Sequence, residues 1–290
     1  MRPNHHQFTA FAYVVREGSF SAAAERLGVS QSAVTQQVAK LERNVGAQLL
    51  IRGRDGVQVT PTGQDLYTLA DRLVALDSAI AEQLEGFASM KDGRIKIIAN
   101  APQPTLKIIA RFTERFPGIH VDFGLHDWTT ATGMIRKRLA DVGLITDPPR
   151  SEDFVHHRLQ TTRYVAYCRQ DHPLAGRSRL RLADLQDETI ILPEEGSLTQ
   201  RVVKATLRKR SLPMPRTVTM TTFPVMCEAV LQGIGIALFL RDSSLIDEGM
   251  VEIEVEEFDT LHEIWLVATK DRARLRLVSE FVATATSTVF

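Results

Sequence analysis

The sequence predicts a three-part α/β protein: a small helical unit with a β-hairpin, one long helix, and a larger two-lobed α/β domain. Near the N-terminus, two short helical segments meet at Gly28 and precede a hairpin pattern. Between residues 62 and 87, apolar side chains recur at three- and four-residue steps without an interrupting proline. From residue 93 onwards, apolar strand segments alternate with helical segments, a pattern that is typical of sheets covered by helices.

Length, composition and charge fit a globular chain with more than one domain. The protein has 290 residues, of which 44% are hydrophobic and 24% charged, and its formal net charge is zero. This charge is uneven, because residues 1–62 hold seven basic and four acidic residues, whereas residues 63–90 hold one basic and five acidic residues. A basic head beside an acidic segment favours a polyanion-binding module attached to a different kind of domain.

Several functional classes have no support in the sequence. Cys168 and Cys227 are isolated from each other, with no CxxC motif and no recognised metal-ligand spacing to a histidine, so we expect ordinary thiols of a reducing compartment. The N-terminus lacks the apolar core of a signal peptide, and no apolar run reaches about 18 residues, so we expect a cytoplasmic protein without a membrane partner. No metal-ligand spacing or reactive constellation stands out, so we expect no catalytic residue, no metal and no cofactor.

The stretch SFSAAAERLGVSQSAVTQQVAKLERNVG, residues 19–46, predicts two helices joined by a tight turn. Gly28 can adopt the positive φ that ends the first helix, and the predicted N-caps are Ser21 and Ser30. The second helix has an apolar inner face, formed by Val34, Val38, Leu41 and Val45. A preceding helix contributes Phe8, Phe11, Ala12 and Val15. Three short helices with alanines at their contacts indicate a helix-turn-helix.

The outer face of the second helix is polar and suits contact with DNA. Amide and hydroxyl side chains can reach base edges in the major groove, and basic side chains can reach phosphates. We predict that base choice is set by Gln31, Ser32, Thr35 and Gln36. We assign phosphate contacts to Lys40, Arg43, Arg52 and Arg54, of which the last two belong to a wing hairpin with predicted strands 49–52 and 57–60. A solvated helix face and a plain surface hairpin are the alternatives.

The segment FAYVVREGSFSAAAERLGVSQSAVTQQVAKLERNVGAQLLIRGRDGVQVTPTG resembles the DNA-binding end of LysR-type transcriptional regulators. The resemblance runs from about residue 5 to the end and is most specific in residues 8–63. Many members have proline at the position of Ser32, and this departure bears on base preference, since serine can also start a helix. The resemblance implies a ligand-responsive regulator, with a bilobed α/β effector domain resembling type 2 periplasmic binding proteins.

The connecting helix carries one narrow apolar stripe. Its members are Leu66, Leu69, Leu73, Leu76, Ile80, Leu84 and Phe87. Such a stripe needs a partner helix. Pairing with the same helix of a second chain would place two winged helix-turn-helix domains side by side, as a two-fold operator requires. Packing on the chain's own domain is the alternative. The resemblance implies a dimerising linker helix, and a tetramer built by further contacts between effector domains.

The rest of the sequence predicts two sets of strand-helix alternation and a late strand near 263–269 that returns to the first set. We therefore divide the chain into a DNA-binding domain (1–62), a linker helix (63–92), lobe I (93–162 and 268–290) and lobe II (163–267). We expect the sheets to be parallel.

Small ligands in open α/β sheets bind beyond the carboxyl ends of the strands. The residues predicted at these positions are the candidates for effector binding: Asn100, Gln103, Thr105, Thr129, Thr130, Thr146, Asp147, Ser197, Leu198, Thr199, Thr222 and Phe223. Hydroxyl residues at helix starts favour an anionic group, and Asp147 could pair with a cationic substituent. Ordinary N-caps are the alternative for each serine and threonine.

We predict a regulator that is not an enzyme. Its partners are double-stranded operator DNA, a small anionic or zwitterionic inducer, and further copies of itself in a homodimer or homotetramer, with RNA polymerase as a further candidate. Two other classes stay open. One is an enzyme or solute-binding protein that uses the winged helix as an interaction module, and the other is an architectural DNA-binding protein without an inducer.

Overall fold

The structure is a computed structural model that describes residues 3–53, 56–85, 93–243 and 248–288, without the side chains of residues 83–85. Arg54 and Phe87, and the side chain of Leu84, lie outside the described residues. Within the described ranges, no helix is both long and apolar enough to cross a membrane.

The N-terminal unit is a three-helix core closed by a hairpin. Its elements are α1 (His5–Glu17), α2 (Phe20–Leu27), α3 (Gln31–Val45), β1 (Leu50–Gly53) and β2 (Gly56–Val59). Gly28 ends α2 with φ +64°, in the left-handed conformation that glycine adopts without strain. Ser30 caps α3 by accepting a hydrogen bond from the N–H of Ala33. The predicted helix-turn-helix and wing are thus both present.

Two details of this unit differ from the sequence prediction. Ser19, rather than Ser21, is the N-cap of α2, because Ser19 has the extended backbone of a cap and its side chain accepts from the N–H of Ala22. Ser21 lies within the first turn and shares a hydrogen bond with the Ser19 hydroxyl. Val45, the last residue of α3, is exposed, because the buried face of the helix ends at Leu41.

The linker helix α4 (Pro61–Glu85) begins two residues before the predicted start and has two apolar faces. One face packs on the core of the N-terminal unit through Tyr67, Ala70 and Val74. Three members of the predicted stripe lie on the other face: the exposed fractions of Leu69, Leu76 and Ile80 are 62%, 59% and 51%. Leu73 is half-buried, and Leu66 packs on the core of the N-terminal unit, against the prediction. The helix therefore packs on its own chain and still presents an apolar stripe to solvent.

The effector domain consists of two α/β lobes. Its elements, in chain order, are β3 (Gly93–Ala99), α5 (Thr105–Arg115), β4 (Ile119–Leu125), α6 (Trp128–Arg136), β5 (Val142–Thr146), β6 (Phe154–Thr162), β7 (Tyr164–Arg169), β8 (Arg179–Leu180), β9 (Thr189–Pro193), α7 (Leu198–Lys209), β10 (Arg216–Met220), α8 (Phe223–Leu231), β11 (Ile236–Leu240), β12 (Met250–Val255), β13 (His262–Thr269) and α9 (Arg276–Ser287). Lobe I contains a sheet of order β4-β3-β5-β13-β6, and lobe II contains a sheet of order β10-β9-β11-β7-β12-β8.

Helices cover both faces of each sheet. In lobe I, α5 and α9 pack on one face around Phe112 and Phe281, and α6 packs on the other through Ala131 and Ile135. In lobe II, α7 and α8 take the corresponding places, since their buried residues belong to two separate clusters. This layering fits the predicted bilobed α/β architecture.

The sheets are mixed rather than parallel, because β13 in lobe I and β7 in lobe II run antiparallel to the strands on both sides of them. In lobe I, β13 pairs antiparallel with β5 and with β6, a strand that the sequence reading missed. The missed strands β8 and β12 lie in lobe II, where β12 also pairs antiparallel with β7. The predicted boundary at residue 268 falls inside β13, so we propose that lobe II ends before His262.

Candidate DNA interface and effector cleft

The helix α3 has one buried and one solvated side, as a groove-reading helix requires. Val34, Val38 and Leu41 are buried against the other helices. The opposite side carries most of the predicted contact residues: Gln31, Ser32, Gln36, Lys40 and Arg43 are exposed, and Thr35 is half-buried. This polar edge is free to approach a ligand as large as duplex DNA.

The wing is tied to α3 and to α2. The Glu42 carboxylate on α3 accepts hydrogen bonds from the backbone N–H groups of Leu49 and Leu50, at 2.8 and 3.2 Å. The guanidinium carbon of Arg52 lies 4.1 Å from the centre of the Phe20 ring. Such stacking orients the guanidinium while leaving its edge N–H groups for a phosphate. Arg52 therefore has a defined position beside α3.

Six charged side chains, of which four are buried and two, Arg16 and Asp271, are half-buried, join the N-terminal unit and the linker helix to lobe I. We call this set the interdomain network, formed by Arg16, Asp71, Arg138, Asp141, Asp271 and Arg272. Asp71 on the linker helix accepts from Arg272 at 2.5 Å and from Arg138 at 2.6 Å. Three acids and three arginines balance in charge, which is the condition for burying so many ions in one place.

Asp141 extends the network to the N-terminal unit. Its carboxylate accepts from Arg16 at 2.5 Å and from Arg272 at 2.9 Å, and from the backbone N–H of Lys96 at 2.8 Å. Burial alone would raise the pKa of Asp141, but Arg16 and Arg272 outweigh burial and hold this pKa below its ordinary value. The Tyr67 hydroxyl adds a hydrogen bond of 3.0 Å to the backbone carbonyl of Arg138.

The interlobe cleft lies at the strand ends where the two lobes face each other. The structure brings six predicted effector residues into its lining: Asn100, Ser197, Leu198, Thr199, Thr222 and Phe223. It adds several polar or aromatic residues that the sequence reading missed: His126, Asp127, Trp128, Tyr164, Glu194 and Thr221. No sequence motif marks these six residues, since they meet only when the two lobes are assembled.

The other predicted effector residues lie around the cleft but not in its lining. Gln103 and Thr105, at the start of α5, are buried, and each has a side-chain oxygen without a hydrogen-bond partner in the described structure. Thr129 and Thr130 are exposed at the start of α6, where their N–H groups bond to the Asp127 cap. Thr146 is buried and exchanges hydrogen bonds with Asn100.

Asp147 turns away from the cleft. Its backbone has φ +44°, and its carboxylate bonds to the Nδ1 of His262 at 2.6 Å and to the N–H of Glu263 at 2.8 Å. Burial would raise the pKa of Asp147, but these hydrogen bonds hold it below its ordinary value. Two carboxylates line the cleft: Asp127, which caps α6, and Glu194, whose Oε2 is buried without a hydrogen-bond partner in the described structure.

The cleft is closed by direct contacts between the lobes. The Thr129 hydroxyl donates to the backbone carbonyl of Gly196 at 3.0 Å, and the Arg201 guanidinium lies 4.1 Å from the Trp128 ring centre. The enclosed volume is about 60 Å³, whereas sites for small organic ligands measure roughly 300–1,000 Å³. A metabolite can therefore enter only if the lobes open.

Comparison with known proteins matches both parts of the chain. Residues 5–64 match the family model described as "Bacterial regulatory helix-turn-helix protein, lysR family", and residues 89–289 match the model described as "LysR substrate binding domain". The RuBisCO operon transcriptional regulator of Allochromatium vinosum is 27% identical over 266 residues, which cover 90% of this chain and 88% of the relative.

Solved structures share the fold at low sequence identity. A full-length OxyR variant from Pseudomonas aeruginosa has a TM-score of 0.79 at 18% identity, with 99% of this chain and 96% of the other covered. The regulatory domain of Synechocystis PCC6803 CcmR, in complex with 2-PG, has a TM-score of 0.59 at 19% identity, with 68% and 97% covered. The likeness to the OxyR variant extends over the N-terminal unit, the linker helix and both lobes.

Proposed function

Because the chain belongs to the LysR family of bacterial transcriptional regulators, we propose that it binds a partly palindromic operator as an oligomer and senses a small metabolite in the interlobe cleft. The observation that carries this proposal is the two-sided character of α3. Its apolar side is buried in the winged unit, and its amide, hydroxyl and basic side chains are presented to solvent. A helix anchored in this way can enter a major groove without losing its own packing.

In our proposal, different residues of this surface read the bases and contact the phosphates. Gln31, Ser32, Thr35 and Gln36 lie on the N-terminal half of α3 and read base edges in our proposal. Lys40, Arg43, Arg52 and Arg54 provide phosphate contacts. Each neutralised phosphate makes the slope of log affinity against log salt more negative by about 0.9. Operator binding therefore weakens steeply as the salt concentration rises.

Replacing Gln36 with alanine tests the base-reading role. Gln36 is exposed on α3, so the substitution leaves the core of the winged unit intact. We expect it to weaken binding to the matched operator by about 1–3 kcal/mol, since a bidentate contact to a base contributes about that much to discrimination. Gel-shift titrations on matched and singly mismatched operators measure the loss at each position.

The control for this experiment is Arg43→Ala, which removes a phosphate contact from the same helix. It should weaken binding to all sequences about equally and reduce the salt slope by about one. If Gln36→Ala also reduces affinity equally on every sequence, Gln36 has no role in base reading.

The exposed stripe of α4 supports pairing of two chains. Leu69, Leu76 and Ile80 follow one another along the same solvent-facing side of a helix whose other side is already packed. A second copy of this helix would cover the stripe and hold two winged heads for the two half-sites of the operator. We propose that effector-domain contacts extend this dimer to a homotetramer, and that RNA polymerase is a further partner.

The cleft suits a ligand with both signs of charge. The N-terminus of α8 faces it at Thr222, whose side chain makes no capping hydrogen bond. Pro224 has no N–H, so the positive end of the helix dipole and the N–H groups of the neighbouring first-turn residues Phe223 and Val225 are what the helix offers to an anion. Glu194 is half-buried, and its buried Oε2 atom can accept from a cationic group. We therefore propose a zwitterion or small anion as the inducer, and the complex of the CcmR regulatory domain with 2-PG supports a ligand in this domain.

Ligand screening by thermal shift tests this site, with a panel of amino acids and small mono- and dicarboxylates. At about 100 times its Kd, a true ligand should stabilise the protein by about 2.7 kcal/mol. If that ligand carries an ammonium group, Glu194→Gln should remove the stabilisation. Glu195→Gln should preserve it, since Glu195 is 91% exposed beside the cleft.

An absence of any thermal shift across the panel would contradict the sensing proposal. That result would favour an architectural DNA-binding protein without an inducer. Turnover of a compound that does bind would favour the enzyme alternative instead.

A further inference from the structure

A second cavity, much larger than the interlobe cleft, lies where the linker helix meets lobe I. We call it the linker cavity. Its volume is about 350 Å³, and its walls come from α4, from α6, from the loop at residues 148–153 and from β13. We propose that the linker cavity is a second ligand site, for a small carboxylate with an apolar body. This site goes beyond the proposed function, which places the inducer in the interlobe cleft.

The floor of the linker cavity is apolar. Ile145 and Val267 are buried side chains of the sheet face that α6 covers, and Ile135 is a buried side chain of α6. Phe154 and Pro149 continue the apolar wall. Apolar floors of this kind hold the hydrocarbon part of most small organic ligands. Because the volume lies within the ordinary range for such ligands, roughly 300–1,000 Å³, a single-ring compound can enter without separating the lobes.

Arginines surround the opening of the cavity. Arg136 is exposed and makes no ion pair with the described residues. Arg72 faces Asp153 at 3.7 Å, and both side chains are largely exposed, so this pair is weak. Arg150 stacks on Trp265 at 3.7 Å, which orients its guanidinium, and its ion pair with Glu263, at 3.9 Å, is weak because it is partly exposed. Among the described residues that line the cavity, Asp153 is the one acid, so the opening attracts anions.

One buried hydroxyl group in the lining is available to a ligand. The Oγ1 atom of Thr132 is shielded from solvent and makes no hydrogen bond within the described structure, whereas the Thr269 hydroxyl, which is also shielded, interacts with the Asp271 carboxylate. A buried hydroxyl without a partner is energetically unfavourable and is normally satisfied by protein, water or ligand. The Thr132 hydroxyl can donate to a carboxylate that also meets the guanidiniums of Arg136 and Arg150.

A ligand in the linker cavity would act on the position of the N-terminal unit. Thr68 and Arg72 of α4 line the cavity, and so does Arg138, which bonds to Asp71 in the interdomain network. A ligand that prefers the docked arrangement of α4 on lobe I would thereby stabilise that arrangement. The site thus offers a route from ligand binding to the DNA-binding heads that does not pass through the interlobe cleft.

Isothermal titration of the full chain with benzoate, without DNA, tests the proposal. Acetate serves as the control without an apolar body, and benzyl alcohol as the control without charge. We expect saturable benzoate binding with a Kd of about 1 mM or tighter, and binding of both controls at least about tenfold weaker. No saturable benzoate binding, or equal binding of acetate, would overturn the proposal.

Variants assign the benzoate to one of the two cavities. The double variant Arg136→Ala/Arg150→Ala should weaken benzoate binding about tenfold or more, whereas Arg208→Ala, an exposed arginine of α7, should leave it unchanged. Asn100→Ala in the interlobe cleft should also leave it unchanged. Loss of binding in Asn100→Ala but not in the arginine double variant would place benzoate in the cleft and refute the linker site. Circular dichroism of each variant verifies the fold.

Discussion

Asp71→Ala is expected to lower the free energy of unfolding by about 3–5 kcal/mol, because removing one member of a buried ion-pair group leaves uncompensated charge. Asp71 is shared by Arg138 and Arg272, and the Arg272 side chain is only 1% exposed. Both arginines keep their charge at any accessible pH. The free-energy cost of the unpaired buried charge is therefore not relieved by deprotonation. Urea denaturation followed by circular dichroism measures the loss.

The matched control is Asp77→Ala, on the same helix. The side chain of Asp77 is largely exposed, and its contact with His5 is 3.7 Å long, so its removal should change stability by less than about 1 kcal/mol. Because the network joins separate units, Asp71→Ala should also loosen the N-terminal unit from lobe I, visible as faster amide exchange in α4. Equal stability of the two variants would show that the network does not stabilise the docked arrangement.

The second large effect concerns the stripe on the linker helix. The double variant Leu76→Glu/Ile80→Glu places carboxylates where the proposed partner helix would pack. These side chains are exposed within one chain, so the fold of the single chain should persist. Pairing should fail, and operator affinity should then drop by about 10²–10⁴-fold, because the second half-site no longer benefits from a tethered head.

Sedimentation velocity and gel shift measure these two consequences together. Leu261→Glu is the control, since it adds a carboxylate to an exposed apolar residue outside the stripe. It should remain an oligomer with nearly unchanged operator affinity. If the stripe variant is as oligomeric as the control, the pairing of chains does not depend on α4.

The helix-turn-helix could be predicted because its signals are local. Gly28 must adopt positive φ, Ser30 must cap α3, and the apolar side of α3 repeats with the helical period. The same locality identified the linker stripe. Strand β6 was missed because FVHHRLQTT has no alternation of apolar and polar residues, and its pairing with β13 is decided by residues about 100 positions later.

The side-chain directions in the cleft and the contacts of the interdomain network could not be predicted from the sequence. The end of a strand can be located, but the direction of a side chain there cannot: Asp147 turns to His262, while Glu194 faces the cleft. Asp71 occurs among acids that the charge pattern would leave in solvent. It is buried because Arg272, 201 positions later in the chain, returns to meet it. Such contacts depend on assembly of the whole chain.

The central claim is that the polar edge of α3 reads duplex DNA in heads held as a pair. Its most direct test is fluorescence-anisotropy titration of the full-length chain against DNA fragments adjoining its own gene, over a salt series. The claim predicts binding of one fragment at least about 10³-fold tighter than random DNA, with affinity falling steeply as salt rises. A monomeric chain that binds none of these fragments at low ionic strength would contradict it.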